Sequence, residues 1–429
     1  MEEQERKSIL DDKNFIKGLF AGVLLVLLSL SAVLFWYRWK LNKRLEELKS
    51  SRQEAQTEVE ENPELLLDSD RIGAKLGELE QLINLYYLDE IDNLEVEDGI
   101  YTGLVDALDD PYSVYYDEEA LSAMEESTNG EYAGIGAMMS QNPDTMEVQV
   151  VQCYDGTPSK EAGMLAGDVM ISLNGEDITG LELSSIVAKI KDGETTPVTI
   201  GLLRDGEKLE LEVERRVVEI PTVEWEMLED GIGYLRILEF DLVTVSQFEE
   251  AMKELEAANM EKLIVDVRDN PGGVLQTVCE ILDQILPEGL IVYTEDKYGH
   301  REEYRSDAAH VFEKPLVVLV NENSASASEV FSGAIKDYGV GTLVGTKTFG
   351  KGIVQRLFDL SDGTGLKLTI SKYYTPNGND IHEKGIEPDV EVMMKEYDTE
   401  TLQQITEENW KEYDNQLEKA VEVLKEIEL

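Results

Sequence analysis

Cysteine and basic residues are scarce in this 429-residue chain. The two cysteines, Cys153 and Cys279, are far apart and too few for a disulfide framework or a metal site. We expect both to be free thiols in the core. Lysine and arginine number 38 against 90 acidic residues, which gives a formal charge of −52. A charge of that sign argues against a nucleic-acid partner, which would be bound through its phosphates.

Histidine is also rare, and no nucleotide-binding motif is complete. The three histidines, His300, His310 and His382, lie in no nucleophile-elbow or metal-ligand pattern, and we interpret them as surface residues. The GIG segment at 134–136 lacks the third glycine of GxGxxG, and no βαβ unit surrounds it. We therefore expect the chain to require neither a metal nor a nucleotide cofactor.

Residues 18–37 contain no charged side chain. Twenty such positions are enough to span a bilayer, and the closing Phe-Trp-Tyr suits the membrane interface. A cleaved signal peptide is the alternative, because Ser29 and Ser31 are small enough for a cleavage site. The apolar run continues past these serines, which favours an uncleaved single-pass anchor. Basic residues lie on both sides of the run, so charge does not determine its orientation.

A serine motif and a lysine motif suggest nucleophilic catalysis. Ser326 is the middle serine of SASAS, between an apolar run, KPLVVLV, and a helix-like segment. At such a strand-to-helix junction a hydroxyl is exposed and helix amides favour negative charge. Lys351 stands between glycines in FGKG, among apolar neighbours. Burial would lower the pKa of its amine toward neutrality, and the amine could then take the serine proton.

Gln355 follows the lysine in a strand-like run, IVQRLF. On a strand, positions 351, 353 and 355 would share a face, so Gln355 could hold the amine by a hydrogen bond. Two alternatives stay open on spacing alone. SASAS could be a small-residue turn with Ser328 as a helix N-cap, and Lys351 could be a surface lysine in a glycine turn.

Several motifs together resemble the carboxy-terminal processing proteases, serine peptidases of the S41 type with a Ser/Lys dyad. In chain order the motifs are DPYSVYY (110–116), VDVRDNPGG (265–273), NENSASASE (321–329), TFGKGIVQ (348–355), YYTPNGNDI (373–381) and GIEPDVEV (385–392). The resemblance implies that Ser326 is the nucleophile, Lys351 the general base and Gln355 the residue that orients the lysine.

The turn at 270–273 would place bare backbone amides at the end of a strand. We assign the oxyanion hole to the amide of Gly272 or Gly273 together with that of Ala327, directly after the nucleophile. The alternative is a plain turn that leads into a helix.

Residues 127–216 combine short alternating strands, frequent glycines and one helix. YAGIGAMM followed by DGTPSKEAGMLAGD resembles a PDZ domain, in which Gly134, Ile135 and Gly136 match the loop that receives a peptide's terminal carboxylate. Glycines let successive amides converge on an anion, and an extended peptide can add as a strand beside the sheet edge. A turn without a ligand is the alternative.

Seven segments are predicted along the chain: an N-terminal tail (1–17), a transmembrane helix (18–37), a stalk (38–70), an N-terminal helical segment (71–126), the PDZ domain (127–216), a Ser/Lys protease core (217–395) and a C-terminal helical extension (396–429). After Arg216 strands alternate with helices, an α/β pattern that fits the crotonase-like core the resemblance implies. Helices of the 71–126 kind help the family form dimers, so a homodimer is expected. We also expect the C-terminal extension to pack on a partner subunit.

These features predict a serine endopeptidase held in the cell membrane by one span. The resemblance implies a catalytic part on the extracytoplasmic side and protein substrates whose free C-termini are captured by the PDZ domain. The alternative is a PDZ scaffold on a gated or inactive protease core. An acyl-CoA enzyme on the same core is disfavoured because the inserted PDZ domain would have no role there.

Overall fold

The computed structural model describes residues 65–191, 196–307, 309–402, 404–406 and 409–427. The predicted N-terminal tail, the transmembrane helix at 18–37 and most of the 38–70 stalk lie outside these residues. Within them, no helix combines the length and apolar character needed to cross a bilayer. The chain forms two compact units, Met1–Ile91 and Asp92–Leu429.

Aspartate caps begin the helices that precede the PDZ domain. In chain order the elements are α1 (Ser69–Tyr86), α2 (Asn93–Asp106), β1 (Val114–Tyr116) and α3 (Glu118–Asn129). Asp68, Asp92 and Asp117 each accept a hydrogen bond from an amide of the first turn, which satisfies a free helix donor. All three helices fall largely within the predicted N-terminal helical segment (71–126), and α3 ends at Gly130 with a φ of 70°.

The PDZ domain is an antiparallel sheet inserted through a two-stranded ribbon. Its elements are β2 (Glu131–Gly134), β3 (Ala137–Gln141), β4 (Val148–Cys153), α4 (Pro158–Glu161), β5 (Val169–Leu173), β6 (Glu176–Asp177), α5 (Leu183–Lys191), β7 (Val198–Arg204), β8 (Glu207–Val213) and β9 (Arg216–Glu219). The sheet order is β3-β4-β5-β7-β8, with β6 beside β5. The ribbon is β2 paired with β9, and at its base Gly130 O accepts a hydrogen bond from Ile220 N over 2.7 Å.

The second half of the chain forms two further sheets. Its elements are β10 (Val223–Met227), β11 (Ile232–Ile237), α6 (Thr244–Ala257), β12 (Lys262–Asp266), α7 (Leu275–Asp283), β13 (Gly289–Asp296), β14 (Arg301–Ser306), β15 (Leu316–Val320), α8 (Ala327–Tyr338), β16 (Thr342–Gly345), β17 (Ile353–Asp359), β18 (Gly365–Tyr374), β19 (Val390–Glu391), α9 (Thr399–Leu402) and α10 (Asn415–Glu426). The central sheet has the order β10-β11-β12-β15-β16-β19 and is parallel except for β10.

Helices cover both faces of the central sheet, which is why its interior strand β15 is continuously apolar. All five residues of β15 are buried. Buried residues of α6, α7 and α8 join one face of the sheet in a single core that includes Cys279, while Cys153 lies in the PDZ core. Both cysteines are free and buried, as predicted.

The opposite face of the sheet is covered by α10. Leu417 and Leu424 pack with Ile264 and Leu319 of the sheet. The expectation that the C-terminal extension packs on a partner subunit is therefore corrected: its apolar stripe is used within its own chain. Helical spacing identifies the apolar face of a helix but not the surface that receives it.

The outer sheet has the order β1-β18-β13-β14, with β17 also paired to β18. All these pairings are antiparallel, and Val114 of β1 lies opposite Lys367 of β18. The DPYSVYY motif is thereby brought beside β18, the strand that also pairs with β17 after Lys351.

Candidate active site

Ser326 lies in the turn between β15 and α8, at the strand-to-helix junction that the sequence predicts. Its φ of 54° and ψ of −112° are strained for a residue with a side chain. The residue is only 7% exposed. Because the next residue begins a helix, the helix dipole favours negative charge at this turn.

Glu329 connects this turn to the loop that carries the lysine. Its carboxylate is fully buried and accepts hydrogen bonds from the backbone N–H groups of Ser326 (3.0 Å), Gly350 (2.7 Å) and Lys351 (2.7 Å), and from the Thr348 hydroxyl (2.6 Å). Burial raises the pKa of Glu329, while these four donors act in the opposite direction. The sequence analysis missed this role, although Glu329 closes the SASASE motif.

The Lys351 side chain is partly buried and lies against an aromatic ring. Its Nζ is 4.6 Å from the centre of the Tyr112 ring, a cation–π geometry. Burial lowers the pKa of Lys351, and the charge of Lys367 lowers it further. Asp110 and Glu329 act in the opposite direction. A lowered pKa increases the fraction of neutral amine, the form that can accept a proton.

The Ser326 hydroxyl has a different neighbour, the buried phenol of Tyr373. Burial raises the pKa of Tyr373 to about 12, and a hydrogen bond with the Ser326 side chain opposes that rise. Within the described residues no hydrogen bond joins the hydroxyl of Ser326 to the amine of Lys351. Sequence reasoning missed Tyr373, which stands in the YYTPNGNDI motif.

Gln355 contacts a neighbouring strand. Its side-chain amide donates to the Thr369 hydroxyl over 3.3 Å. The strand β17 begins at Ile353, after the lysine, and its pairing with β18 shifts between Val354 and Gln355. The simple alternation that would put Lys351 and Gln355 on one face is therefore interrupted, which corrects the geometric part of that prediction.

The glycine turn at 270–273 contacts Ser326. Gly272 has a φ of 113°, and a Cβ atom there would lie 2.8 Å from the Cβ of Ser326, so only glycine fits. Its amide donates to the Asn270 side chain over 2.8 Å. The amides of Gly273 and Ala327 have no hydrogen-bond acceptor in the part of the chain that the structure describes. Of the three predicted donors, these two have free N–H groups.

His382 lies close to this site. A side chain at Gly352, the residue after Lys351, would collide with the backbone of His382. The Nδ1 atom is buried and has no hydrogen-bond partner among the described residues. The interpretation of His382 as a surface residue is thus corrected, whereas His300 and His310 are exposed. The signal available in the sequence was its position directly after the YYTPNGNDI motif.

Comparison with known proteins decides the family. Residues 231–392 match Peptidase family S41, residues 28–120 match the domain described as the activating protease CtpB N-terminal domain, and residues 132–214 match the PDZ domain. The chain is 35% identical over 338 residues to carboxy-terminal processing protease CtpB of Bacillus subtilis, which covers 77% of this chain and 70% of that relative. The chain belongs to the carboxy-terminal processing proteases.

One further relative and one solved structure are similar to this carboxy-terminal processing protease. A carboxyl-terminal-processing protease of Synechocystis is 33% identical over 333 residues, or 72% of this chain and 78% of the relative. A solved structure, the photosystem II D1 C-terminal processing protease, is 29% identical and covers 74% of this chain and 86% of its own, with a TM-score of 0.44. The resemblance found in the sequence is confirmed, and the chain is a serine-type C-terminal processing peptidase with a PDZ domain.

The PDZ domain of this protease has an apolar groove between β3 and α5. The groove encloses a cavity of about 170 Å³, with Gly134 and Ile135 in its lining and Lys191 among the residues at its edge. Gly136 has a φ of 77°, and a side chain there would collide with Thr157. Of the three predicted residues, Gly134 and Ile135 line the groove, and Gly136 follows them in a conformation that favours glycine.

Proposed function

We propose that this protease is a membrane-anchored endopeptidase that uses Ser326 and Lys351 as a dyad and recognises free C-termini through its PDZ groove. The observation that carries the proposal is that the buried carboxylate of Glu329 accepts hydrogen bonds from the backbone N–H groups of both residues. A separate support is the lowered pKa of Lys351, since a catalytic base has to be neutral when it accepts a proton.

The reaction follows from these groups. The neutral amine of Lys351 takes the proton of the Ser326 hydroxyl as Oγ attacks the peptide carbonyl, and the amides of Gly273 and Ala327 donate to the oxyanion. The C–N bond breaks, and the lysine returns its proton to the leaving amine. A water molecule then attacks the acyl-enzyme ester, and Lys351 transfers the water's proton to the Ser326 oxygen. Gln355 would orient the lysine during these steps.

The lysine has to move before it can act in this way. Its amine lies on the Tyr112 ring and forms no hydrogen bond with Ser326 within the described chain. This observation favours the second candidate, a gated core that is inactive at rest. Rotation about the bonds of the flexible lysine side chain would join the two states.

Alanine substitutions test the dyad. Ser326→Ala and Lys351→Ala are each expected to lower cleavage of an unfolded protein by on the order of 10³-fold or more. Lys347→Ala is the matched control, because this lysine of the same loop pairs with Glu387 on the surface. Cleavage at the wild-type rate by either Ser326→Ala or Lys351→Ala would contradict the proposal. Activity that appears only when a peptide with an apolar C-terminus is added would support the gated alternative.

The membrane anchor and the location outside the cytoplasm are further proposals. They are supported by the uncharged run at 18–37 and by the family resemblance. Membrane fractionation of cells that express the full chain, followed by protease treatment of intact cells, measures both. Recovery of the full-length chain in the soluble fraction contradicts the anchor, and protection in intact cells contradicts the orientation.

A homodimer is proposed as well. Apolar side chains of α2 stand in solvent, with Leu94 72%, Ile100 41% and Leu104 44% exposed. Such a face on a helix of a soluble domain usually meets a partner, and a second copy is the occupant that the family resemblance favours. Light scattering is expected to give twice the monomer mass, and Leu104→Glu to give the monomer.

A further inference from the structure

The ring of Tyr132 covers the carboxylate loop of the PDZ groove. Tyr132 lies on β2 two residues before Gly134, so both residues face the same side of the strand. A Cβ atom at Gly134 would lie 2.5 Å from Cε2 of the tyrosine. The ring also lines the groove cavity. The side chain is therefore folded into the groove, over the glycines that have to meet a ligand.

The N–H groups of the loop point into the groove because the carbonyl groups of the same peptide planes accept hydrogen bonds on the opposite side. Ile135 O accepts a hydrogen bond from Ser159 N over 2.8 Å, which fixes the peptide plane that carries the N–H of Gly136. Gly136 O accepts from Tyr154 N over 3.1 Å and from the Ser159 hydroxyl over 2.8 Å, which fixes the plane that carries the next amide. Two N–H groups in this arrangement form an anion-binding nest.

The phenol of Tyr132 lies over this nest, and its ring lines the groove. The backbone N–H groups of Gly136 and Ala137 lower the pKa of its hydroxyl as hydrogen-bond donors do. Burial raises the pKa of Tyr132 to about 12 and the nearby Tyr154 adds to the effect, so the hydroxyl stays neutral at physiological pH. A neutral oxygen accepts these hydrogen bonds more weakly than a carboxylate, whose charge strengthens them.

We infer that the phenol of Tyr132 holds the carboxylate position of the groove and has to leave it before a free C-terminus binds. This inference rests on the proposed recognition of C-termini. A terminus binds only when the free energy gained by its carboxylate and its last side chain exceeds the free energy lost when the phenol leaves its contacts. Tyr132 thereby determines specificity: termini that fill the apolar cavity are accepted, and polar termini are rejected.

Lys191 is placed to assist the exchange. Its Nζ lies 5.9 Å from the centre of the Tyr132 ring and pairs with Glu126 of α3. The ammonium thus stands at the end of the groove where the carboxylate would arrive. In the free protein, Glu126 neutralises the charge of Lys191, and the ammonium group lies beside the ring of Tyr132.

Removing one oxygen atom tests the inference. Tyr132→Phe keeps the ring and deletes the hydroxyl, in a full chain that also carries Ser326→Ala so that the peptide is not cleaved. Fluorescence anisotropy measures the Kd of a labelled peptide with a free apolar C-terminus. We expect Tyr132→Phe to bind about fivefold more tightly, as the loss of competing hydrogen bonds predicts. Tyr132→Leu is expected to bind more tightly too.

Tyr154→Phe is the matched control, because it deletes the hydroxyl of the neighbouring tyrosine, and it is expected to leave the Kd unchanged. An amidated peptide is expected to bind none of the proteins. Unchanged or weaker binding by Tyr132→Phe, with thermal unfolding unaltered, overturns the inference and leaves C-terminal recognition intact. Equal binding of free and amidated peptides, or no binding by any protein, overturns the proposed recognition itself.

Discussion

The backbone N–H groups of Ser326 and Lys351 donate to the same atom, Oε2 of Glu329, over 3.0 and 2.7 Å. The proposed nucleophile and base are therefore positioned by one buried oxygen rather than by contact with each other. The distance between their two loops is fixed even while the lysine amine lies on Tyr112. In a site of this kind the backbones of Ser326 and Lys351 can stay fixed while movement of the Lys351 side chain alone turns activity on or off.

Glu329→Gln tests this positioning. Glutamine offers one acceptor oxygen, and its NH2 group faces donors, so at least two of the four hydrogen bonds are lost. We expect kcat to fall by about 10- to 100-fold with little change in KM, as two lost hydrogen bonds to a charged group predict. Glu322→Gln is the control, since Glu322 accepts from Thr346 at the surface. An unchanged kcat in Glu329→Gln would show that the hydrogen bonds to Glu329 do not position Ser326 and Lys351.

The rate of cleavage is expected to depend on pH through Lys351. The neutral amine is the proposed base, so activity is expected to rise as pH rises through the pKa of Lys351, which burial and Lys367 lower from 10.5. Lys367→Met removes a positive charge and raises the pKa of Lys351. The rising limb then moves to higher pH, and cleavage at pH 7 falls by about threefold for half a pH unit. Lys372→Met, on the same strand, is the control; equal profiles for all three proteins contradict this account.

Asp241 makes stability depend on pH. It is 4% exposed and lies against Gly130 at the base of the PDZ ribbon, where burial, aided by Glu239, raises its pKa to about 7. The folded state therefore binds this proton more tightly than the unfolded state. Its contribution to stability is full below about pH 4, the unfolded pKa, and is lost as pH rises to about 7.

Asp241→Asn keeps the shape of this side chain and removes its charge. We expect it to raise the free energy of unfolding at pH 8 by about 3 kcal/mol, with the gain shrinking toward pH 4. Denaturant titrations at several pH values measure the difference. Asp144→Asn, an exposed change, is expected to show none. A gain that does not vary with pH would exclude ionisation of Asp241 as its cause.

Arg268 joins the central sheet to the C-terminal extension. Its guanidinium pairs with Asp266 at 2.6 Å and with Asp414 at 2.7 Å, and all three side chains are buried. Arg268→Met leaves two buried carboxylates without a cation, which is expected to cost about 3–5 kcal/mol of unfolding free energy. Arg305→Met breaks an exposed pair with Glu303 and is expected to change stability by less than about 0.5 kcal/mol. Similar costs for the two variants would contradict the network's role.

The sequence predicted the parts of the site that depend on local order. The apolar run that became β15 and the helix after it placed Ser326 at their junction, because both signals lie within a few residues of the serine. The strand was predicted to begin at Ile353, as β17 does, but Lys351 lies before it and the pairing with β18 shifts between Val354 and Gln355, so the face shared by Lys351 and Gln355 was wrong. Such a register shift depends on pairing with a distant strand, here β18, which periodicity does not contain.

The missed residues act over long sequence separations. Tyr112 meets Lys351, and Glu329 binds amides that lie beyond the following helix and strand. The donors to Glu329 are backbone N–H groups, which every residue type except proline carries, so no residue pattern marks them. Tyr132 was missed although it stands two residues before Gly134, because the sequence shows the glycines of the loop but not the direction in which the tyrosine ring folds.

The two passes of the chain at the base of the PDZ ribbon are joined by a hydrogen bond of 2.7 Å between Ile220 N and Gly130 O. The PDZ domain is therefore inserted between two neighbouring points of the chain, Gly130 and Ile220. A different domain inserted there would leave the distance between these two points unchanged. The PDZ domain is in this respect a replaceable module, which evolution can exchange for another domain while the rest of the protein stays as it is.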